Sequence, residues 1–130
     1  MNYLTSEQVL FLHDRLIEET GGSHGLRDLG GLESALARPQ ASFGGADLHP
    51  GVMSKAAALM DAIVRNHPFV DGNKRAGIAT AALFLQRNGY RLAATHPELE
   101  AFTMHVTTDK PGIEEISTWF RAHARRTRAR

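Results

Sequence analysis

The sequence contains no cysteine, which excludes disulfide bonds, thiolate metal sites and cysteine nucleophiles. It also lacks an uninterrupted apolar run of about 18 residues, the length that a membrane-spanning helix requires. Its first residues include acids early and have no basic start followed by an apolar stretch, so no secretory signal is predicted. We therefore expect a cytoplasmic protein that is stabilised by packing alone.

The composition is that of an ordinary globular domain, with 42% hydrophobic and 22% charged residues in a chain of 130. A chain of this length buries roughly two-thirds of its unfolded surface around one core. The net charge of +1 conceals an asymmetry, because residues 121–130 contain five arginines and no acid. We predict one folded domain over residues 1–120 and a basic, frayed tail over residues 121–130.

The spacing of apolar residues predicts an all-α fold, a compact single-domain bundle of about six helices. The helices are predicted near residues 6–19, 30–38, 50–66, 74–88 and 95–108, with a last helix beginning around residues 109–114. Gly77 lies inside the fourth helix, where glycine costs about 1 kcal/mol relative to alanine, so another backbone or a ligand should approach it closely. Residues 40–49 lack helical periodicity, which indicates an exposed loop or small hairpin.

The fourth helix begins within the most informative string of the sequence, NHPFVDGNKRAG at residues 66–77. A helix start exposes unpaired N–H groups and a partial positive charge, both of which favour phosphate. Gly72 lets the backbone approach an anion closely, and Lys74 and Arg75 add positive charge at the same point. The string therefore predicts a phosphate site.

Two further side chains in this string predict the chemistry. Asp71 offers hard oxygens, which suit a magnesium ion shared with nucleotide phosphates. His67, on the other limb of the loop, is able to accept a hydroxyl proton. A phosphate held opposite a base favours transfer of a phosphoryl or nucleotidyl group to a hydroxyl.

Each of these residues alone also has a simpler interpretation. Asp71 could cap the helix, and Lys74 and Arg75 could form a solvated first turn. The remaining histidines are expected to be surface or structural residues: His13, His24, His49, His96, His105 and His123. Neither GxxxxGK[ST] nor GxGxxG occurs, so no familiar phosphate loop competes for the assignment.

The ordered string resembles the core pattern of the Fic/Doc family, HxFx[DE][GA]N followed by a variable residue and arginine. Here the pattern runs complete from His67 to Arg75. The similarity extends through YLTSEQVLFLHDRLIEETGG, GLESALARPQ and FLQRNGY, and so covers nearly all of residues 3–120. The branch that the sequence resembles is the death-on-curing, or Doc, group of bacterial toxins.

This resemblance implies a six-helix Fic/Doc fold and a role for each residue of the string. His67 would be the general base, and Asp71 would be a ligand of Mg²⁺. The magnesium ion would accompany ATP, which is the phosphate donor. Phe69 would anchor the loop. The phosphate oxygens would be held by Gly72, Asn73, Lys74 and Arg75.

Two departures from the adenylylating members of the family bear on the reaction. Those members carry a second glycine where this chain has Lys74 and a further arginine where it has Ile78. A lysine closes space that the bulky part of a nucleotide would use and adds a cation for a terminal phosphate. The resemblance therefore favours a Doc-like protein kinase acting on Ser or Thr, with adenylyl transfer as the alternative.

The resemblance also implies partners. Relatives in this branch act on elongation factor Tu and thereby arrest translation. The segment at residues 39–48 would be a flap that docks the target through strand-like pairing, with contacts from Gln40, Ala41, Ser42 and Phe43. The inhibitory pattern [ST]xxxE[GN] is missing, so a separate antitoxin that folds on binding is expected.

Two other classes of function stay open from the sequence. The tail arginines could mark a nucleic-acid-binding protein without catalytic activity, although no aromatic residue is interleaved after Phe120. The second class is a partner-binding domain without catalytic activity, and the intact string from His67 to Arg75 argues against it.

Overall fold

The computed structural model describes residues 1–127, which form six α-helices and two small two-stranded sheets. No helix in this range is long and apolar enough to span a membrane. The all-α prediction is confirmed. In sequence order the elements are α1 (Ser6–Thr20), α2 (Leu29–Ala37), β1 (Ser42–Phe43), β2 (Ala46–Asp47), α3 (Val52–Asn66), α4 (Asn73–Arg87), β3 (Tyr90–Leu92), α5 (His96–Asp109), α6 (Ile113–His123) and β4 (Ala124–Arg126).

Helix α3 is the centre of the bundle, since every residue from Lys55 to Val64 is buried. It packs most extensively against α4 and α6, and α2 covers a further side. A Cβ on Gly77 of α4 would lie 2.9 Å from Val64 Cγ2, closer than packed atoms approach. The prediction that another backbone or a ligand approaches Gly77 is confirmed for the backbone of α3, whose Met60 carbonyl would lie 3.7 Å from that Cβ.

The starts of α1 and α2 follow from capping groups near them in the sequence. Thr5 and Gln8 form the predicted capping box of α1. The Asp28 carboxylate accepts a hydrogen bond from the Gly31 N–H at 2.9 Å and caps α2, so that helix begins at Leu29. After α2 the backbone forms a 3-10 turn, Arg38–Gln40, before it leaves the bundle.

The predicted exposed loop over residues 40–49 is confirmed as a small hairpin. β1 and β2 pair antiparallel across the Gly44-Gly45 turn. The side chain of Phe43 is 81% exposed there. Both ends of the hairpin are bonded to the buried ammonium of Lys55, which donates to the Pro39 carbonyl at 2.7 Å and to the Asp47 carboxylate at 3.3 Å.

The prediction of a frayed tail from residue 121 is wrong for residues 121–127. Helix α6 continues to His123, and β4 then pairs antiparallel with β3. The Arg126 guanidinium lies 5.4 Å from the centre of the Tyr90 ring, and the Thr127 N–H donates to the Gly89 carbonyl at 2.9 Å. These contacts order a segment whose composition alone suggested fraying; residues 128–130 lie outside the described residues.

Candidate active site

The loop between α3 and α4 reverses direction through two left-handed residues. His67 ends α3 with φ 47° and ψ 58°, and Gly72 precedes α4 with φ 75° and ψ 24°. Left-handed backbone is natural for glycine but uncommon for other residues, and it persists only where neighbouring contacts enforce it. The two turns bring the end of α3 and the start of α4 to the same cleft.

Phe69 holds the middle of the loop in the core, where it is 1% exposed. Its N–H donates to Asn73 Oδ1 at 2.9 Å, and its carbonyl accepts from Asn73 Nδ2 at 3.0 Å. Both polar atoms of the Asn73 side chain are therefore engaged by the loop backbone. The sequence had instead predicted that the Asn73 side chain contacts phosphate oxygens, and that role stays a prediction.

His13, set aside in the sequence as a surface or structural histidine, supports this loop from α1. It is buried, and its ring stacks on Phe69 with centroids 3.8 Å apart. Its Nε2–H donates to the Asp71 carbonyl at 2.8 Å. His13 is thus structural, and its link to the loop was missed because the two lie 58 positions apart.

A segment that the sequence did not single out, residues 25–28, pairs with the outer side of the loop. The Val70 N–H donates to the Gly25 carbonyl at 2.9 Å, and the Arg27 N–H donates to the Pro68 carbonyl at 2.7 Å. The Arg27 side chain adds a hydrogen bond to the His67 carbonyl at 2.8 Å. The segment is too short and irregular to give a periodic signal.

The Asp71 carboxylate lies at the edge of the cleft. Its Oδ2 accepts from the Ser23 N–H at 3.1 Å and its Oδ1 from the Gly72 N–H at 2.8 Å. These two backbone donors, with the positive charge of Arg75, lower the pKa of Asp71 below its ordinary value. A Cβ on Gly22 would lie 2.6 Å from Oδ2, so the absence of a side chain there admits the carboxylate.

An ionised carboxylate with lone pairs remaining is the donor that Mg²⁺ takes, usually as one or two protein ligands beside phosphate and water. Over residues 1–127, no group of three or more His, Asp or Glu side chains is placed to form a metal site. The donor set at Asp71 fits a magnesium ion shared with a nucleotide and does not resemble an all-protein cage.

The cleft itself has a volume of about 980 Å³. It lies between the loop, the C-terminal end of α1, the first turns of α4 and one face of α5. His67 is exposed in it, as is Lys74. Its walls away from the loop are formed by five apolar side chains and four polar ones: Leu16, Ile78, Ala79, Leu99 and Met104, with His96, Glu100, Thr103 and Thr107.

Helix α4 enters this cleft without a capping side chain among the described residues. Its first intrahelical bond is from the Ala76 N–H to the Gly72 carbonyl, which leaves the N–H groups of the three residues before Ala76 outside the helical ladder. Those donors and the helix dipole favour an anion at this point.

The two cations beside this helix start are oriented differently. The Arg75 guanidinium donates to Thr20 Oγ1 and to the Gly21 carbonyl, the latter at 3.2 Å, at the C-terminal end of α1. Lys74 is exposed. The Lys74 ammonium is therefore better placed to contact a bound phosphate, whereas the Arg75 guanidinium also ties α4 to α1.

The predicted docking residues Gln40, Ala41, Ser42 and Phe43 do not line the cleft. The hairpin is bonded to Lys55, twelve residues before His67 on α3. That separation is about 18 Å along the helix axis. A partner that touched both the hairpin and His67 would need an extended contact surface.

Comparisons with known proteins agree with this architecture. The sequence model of the Fic/DOC family matches residues 3–85. Toxin Doc of Mycolicibacterium smegmatis is 51% identical over 74 residues, which span 57% of this chain and 57% of that protein. Protein kinase doc of Escherichia phage P1 is 31% identical over 121 residues, 93% of this chain and 94% of that protein. With the intact motif and the six-helix bundle, these matches mean that the chain belongs to the Fic/DOC family.

Proposed function

We propose that this chain is the toxin of a bacterial toxin-antitoxin module and that it transfers the terminal phosphate of ATP to a Ser or Thr hydroxyl of a target protein. The observation that carries the proposal is a single cleft shared by the His67 imidazole, the Asp71 carboxylate and the uncapped start of α4. The names of the two relatives, a toxin and a protein kinase, support the same class of function.

The proposed reaction is an in-line phosphoryl transfer. The N–H groups at the start of α4 and the Lys74 ammonium bind the phosphate oxygens. Asp71 would hold the Mg²⁺ that accompanies ATP, and the ion would supply charge that offsets that of the phosphates. The target oxygen forms a bond to the γ-phosphorus, the bond to ADP breaks, and the hydroxyl proton passes to His67.

Phosphorylation is favoured over adenylylation because of the residues at the helix start. Lys74 supplies a cation for a terminal phosphate where adenylylating relatives are expected to carry glycine. Ile78, which lines the cleft, offers no charge for a second phosphate group. Lys74 and Ile78 therefore both favour transfer of the terminal γ-phosphate.

The reaction is tested with ATP labelled at the γ or the α phosphate, in a bacterial lysate. Transfer from the γ position is expected, with a mass increase of about 80 Da on the target; label from α and an increase of about 329 Da would establish adenylylation instead. His67→Ala should abolish transfer while the fold is retained. His105→Ala, at a half-buried histidine that joins α5 to α6, is the matched control and should keep the parent rate.

We further propose elongation factor Tu as the target and a separate antitoxin as the inhibitor, both in the cytoplasm. The exposed hairpin supports docking of a protein partner, since Phe43 presents a large apolar side chain to solvent. Identification of the labelled band by mass spectrometry tests the target. Phe43→Ala should raise KM for the protein substrate and leave KM for ATP unchanged if the hairpin is the flap.

Nucleic-acid binding is the second candidate, and one observation favours it. Arg91 lies directly opposite Arg125 in the β3–β4 register, and among the described residues neither forms an ion pair. Like charges in such a position repel, and a phosphate would relieve the repulsion. Salt-dependent binding of duplex DNA that is lost in Arg91→Gln/Arg125→Gln would support this candidate; no binding at low salt would remove it.

A further inference from the structure

The proposed base sits at a backbone position that needs external support. His67 is the left-handed residue that ends α3, and helix ends leave their last carbonyls without intrahelical partners. Unless something fixes those carbonyls, the last turn of the helix can unwind and carry the imidazole away from the start of α4. The support should therefore be found at the carbonyls of the final turn.

Arg27 makes these contacts with two of the three nitrogens of its guanidinium group. Its Nε donates to the His67 carbonyl at 2.8 Å, and one terminal nitrogen donates to the Asn66 carbonyl at 2.9 Å. A guanidinium presents its donors in a rigid planar fork, so two adjacent carbonyls are held in a fixed relation. The fork thus caps the C-terminal end of α3 at the residue where the helix becomes left-handed.

The backbone around Arg27 is itself tied to the same loop, so the fork is not a loose surface contact. The N–H groups of Arg27 and Asp28 both donate to the Pro68 carbonyl, at 2.7 and 3.0 Å. Leu26 forms an isolated antiparallel bridge with Phe69, which is buried. Asp28 also caps α2, which anchors the segment in the bundle.

We propose that Arg27 is a positioning residue, which fixes the left-handed conformation of His67 and so the direction of its imidazole toward the phosphate site. The proposal rests on the proposed function, in which His67 takes the proton of the acceptor hydroxyl. Arg27 touches neither the nucleotide site nor the reacting atoms, since it lies outside the cleft lining. Its effect is therefore expected in turnover and not in nucleotide binding.

The first test compares Arg27→Ala with Arg15→Ala, which removes another exposed arginine, one that pairs with Glu19 on α1. We expect kcat of Arg27→Ala to fall about ten- to hundredfold, the loss typical of a displaced catalytic group, with KM for ATP unchanged. The control should keep the parent kcat. Because Arg27 is exposed, millimolar guanidinium should enter the gap and restore part of the rate.

The second test does not depend on activity. The ¹³Cα shift of His67 reports its backbone conformation, and we expect Arg27→Ala to move it away from the left-handed range. Arg27→Lys, which keeps the positive charge and one donor nitrogen, should move it less. A kcat within about twofold of the parent value, or a His67 shift unchanged in both variants, would overturn the proposal. If the parent transfers no phosphate, the proposed function fails, and the shift measurement still decides the role of Arg27.

Discussion

Substitution of Asn73 by alanine separates two roles that the sequence and the structure assign to this side chain. If Asn73 contacts phosphate, its loss should weaken nucleotide binding and leave the fold unchanged. If its amide instead braces the loop, as its two hydrogen bonds to Phe69 indicate, the loss should lower the free energy of unfolding. The first expectation concerns nucleotide binding, and the second concerns the stability of the fold.

The magnitude follows from the burial of the loop. Phe69 is 1% exposed, so its N–H and carbonyl would lose their partners where water does not readily replace them. Leaving one buried polar group unsatisfied costs about 1–3 kcal/mol, so the loss of both partners in Asn73→Ala should reduce the free energy of unfolding by roughly 2–6 kcal/mol. In a domain of this size that corresponds to a fall in Tm of roughly 10 °C.

Calorimetry and urea unfolding of the parent, Asn73→Ala and Lys74→Ala test this reasoning. Lys74→Ala is the matched control, because it removes an exposed neighbour at the same helix start and should weaken nucleotide binding without changing Tm. An Asn73→Ala protein within about 0.5 kcal/mol of the parent would refute the bracing role. A rise in KM for ATP alone would return Asn73 to the phosphate site.

Three further outcomes are expected. Gly77→Ala should destabilise the fold by roughly 1 kcal/mol in urea unfolding, because its Cβ would meet Val64 Cγ2 at 2.9 Å and this overpacking costs more than the roughly 1 kcal/mol that alanine gains over glycine in a helix; an unchanged midpoint would contradict this packing. Lys55→Met should speed amide exchange across residues 40–48 while the helices keep their protection, because both ends of the hairpin lose the same donor; equal exchange would contradict the anchoring role. The pKa of His24 is raised in the folded protein by its hydrogen bond to Asp14 and by Glu18. The stabilisation from His24 is therefore complete below about pH 6.5 and is lost as the pH rises through the pKa of the folded state. His24→Gln should abolish this pH dependence in thermal unfolding.

The sequence predicted the parts of this molecule that are local in the chain. Capping groups, apolar periodicity and glycine stops place the helices to within a few residues, and the string from His67 to Arg75 supplies most of the charged groups of the cleft. The β3–β4 pair was missed because each strand has three residues, too few for an alternating pattern. The arginines of β4 suggested a solvated end, and only pairing with β3 orders them.

What the sequence could not give is the set of distant residues that hold the site in shape. His13 reaches Asp71 across 58 positions and Arg27 reaches His67 across 40, and neither spacing has a periodic signature. The two hydrogen bonds of Asn73 to Phe69 were missed for a related reason, because its position in the string does not say which way its amide points. Side-chain direction becomes visible only once Phe69 is buried beside it.

Two groups of residues therefore form the cleft: those that face it, and those behind them that hold the loop backbone in place. Substitutions in the two groups should have different effects. His67, Asp71 and Lys74 face the cleft, so their loss should reduce turnover or nucleotide binding without unfolding the domain. The residues behind them act on the backbone of the loop and carry little of the chemistry themselves. Variants at His13 should consequently lose stability and turnover together, because the ring both packs on buried Phe69 and bonds the Asp71 carbonyl. A stable, slow His13→Ala protein would mean that packing and positioning are separable at this point, contrary to the geometry.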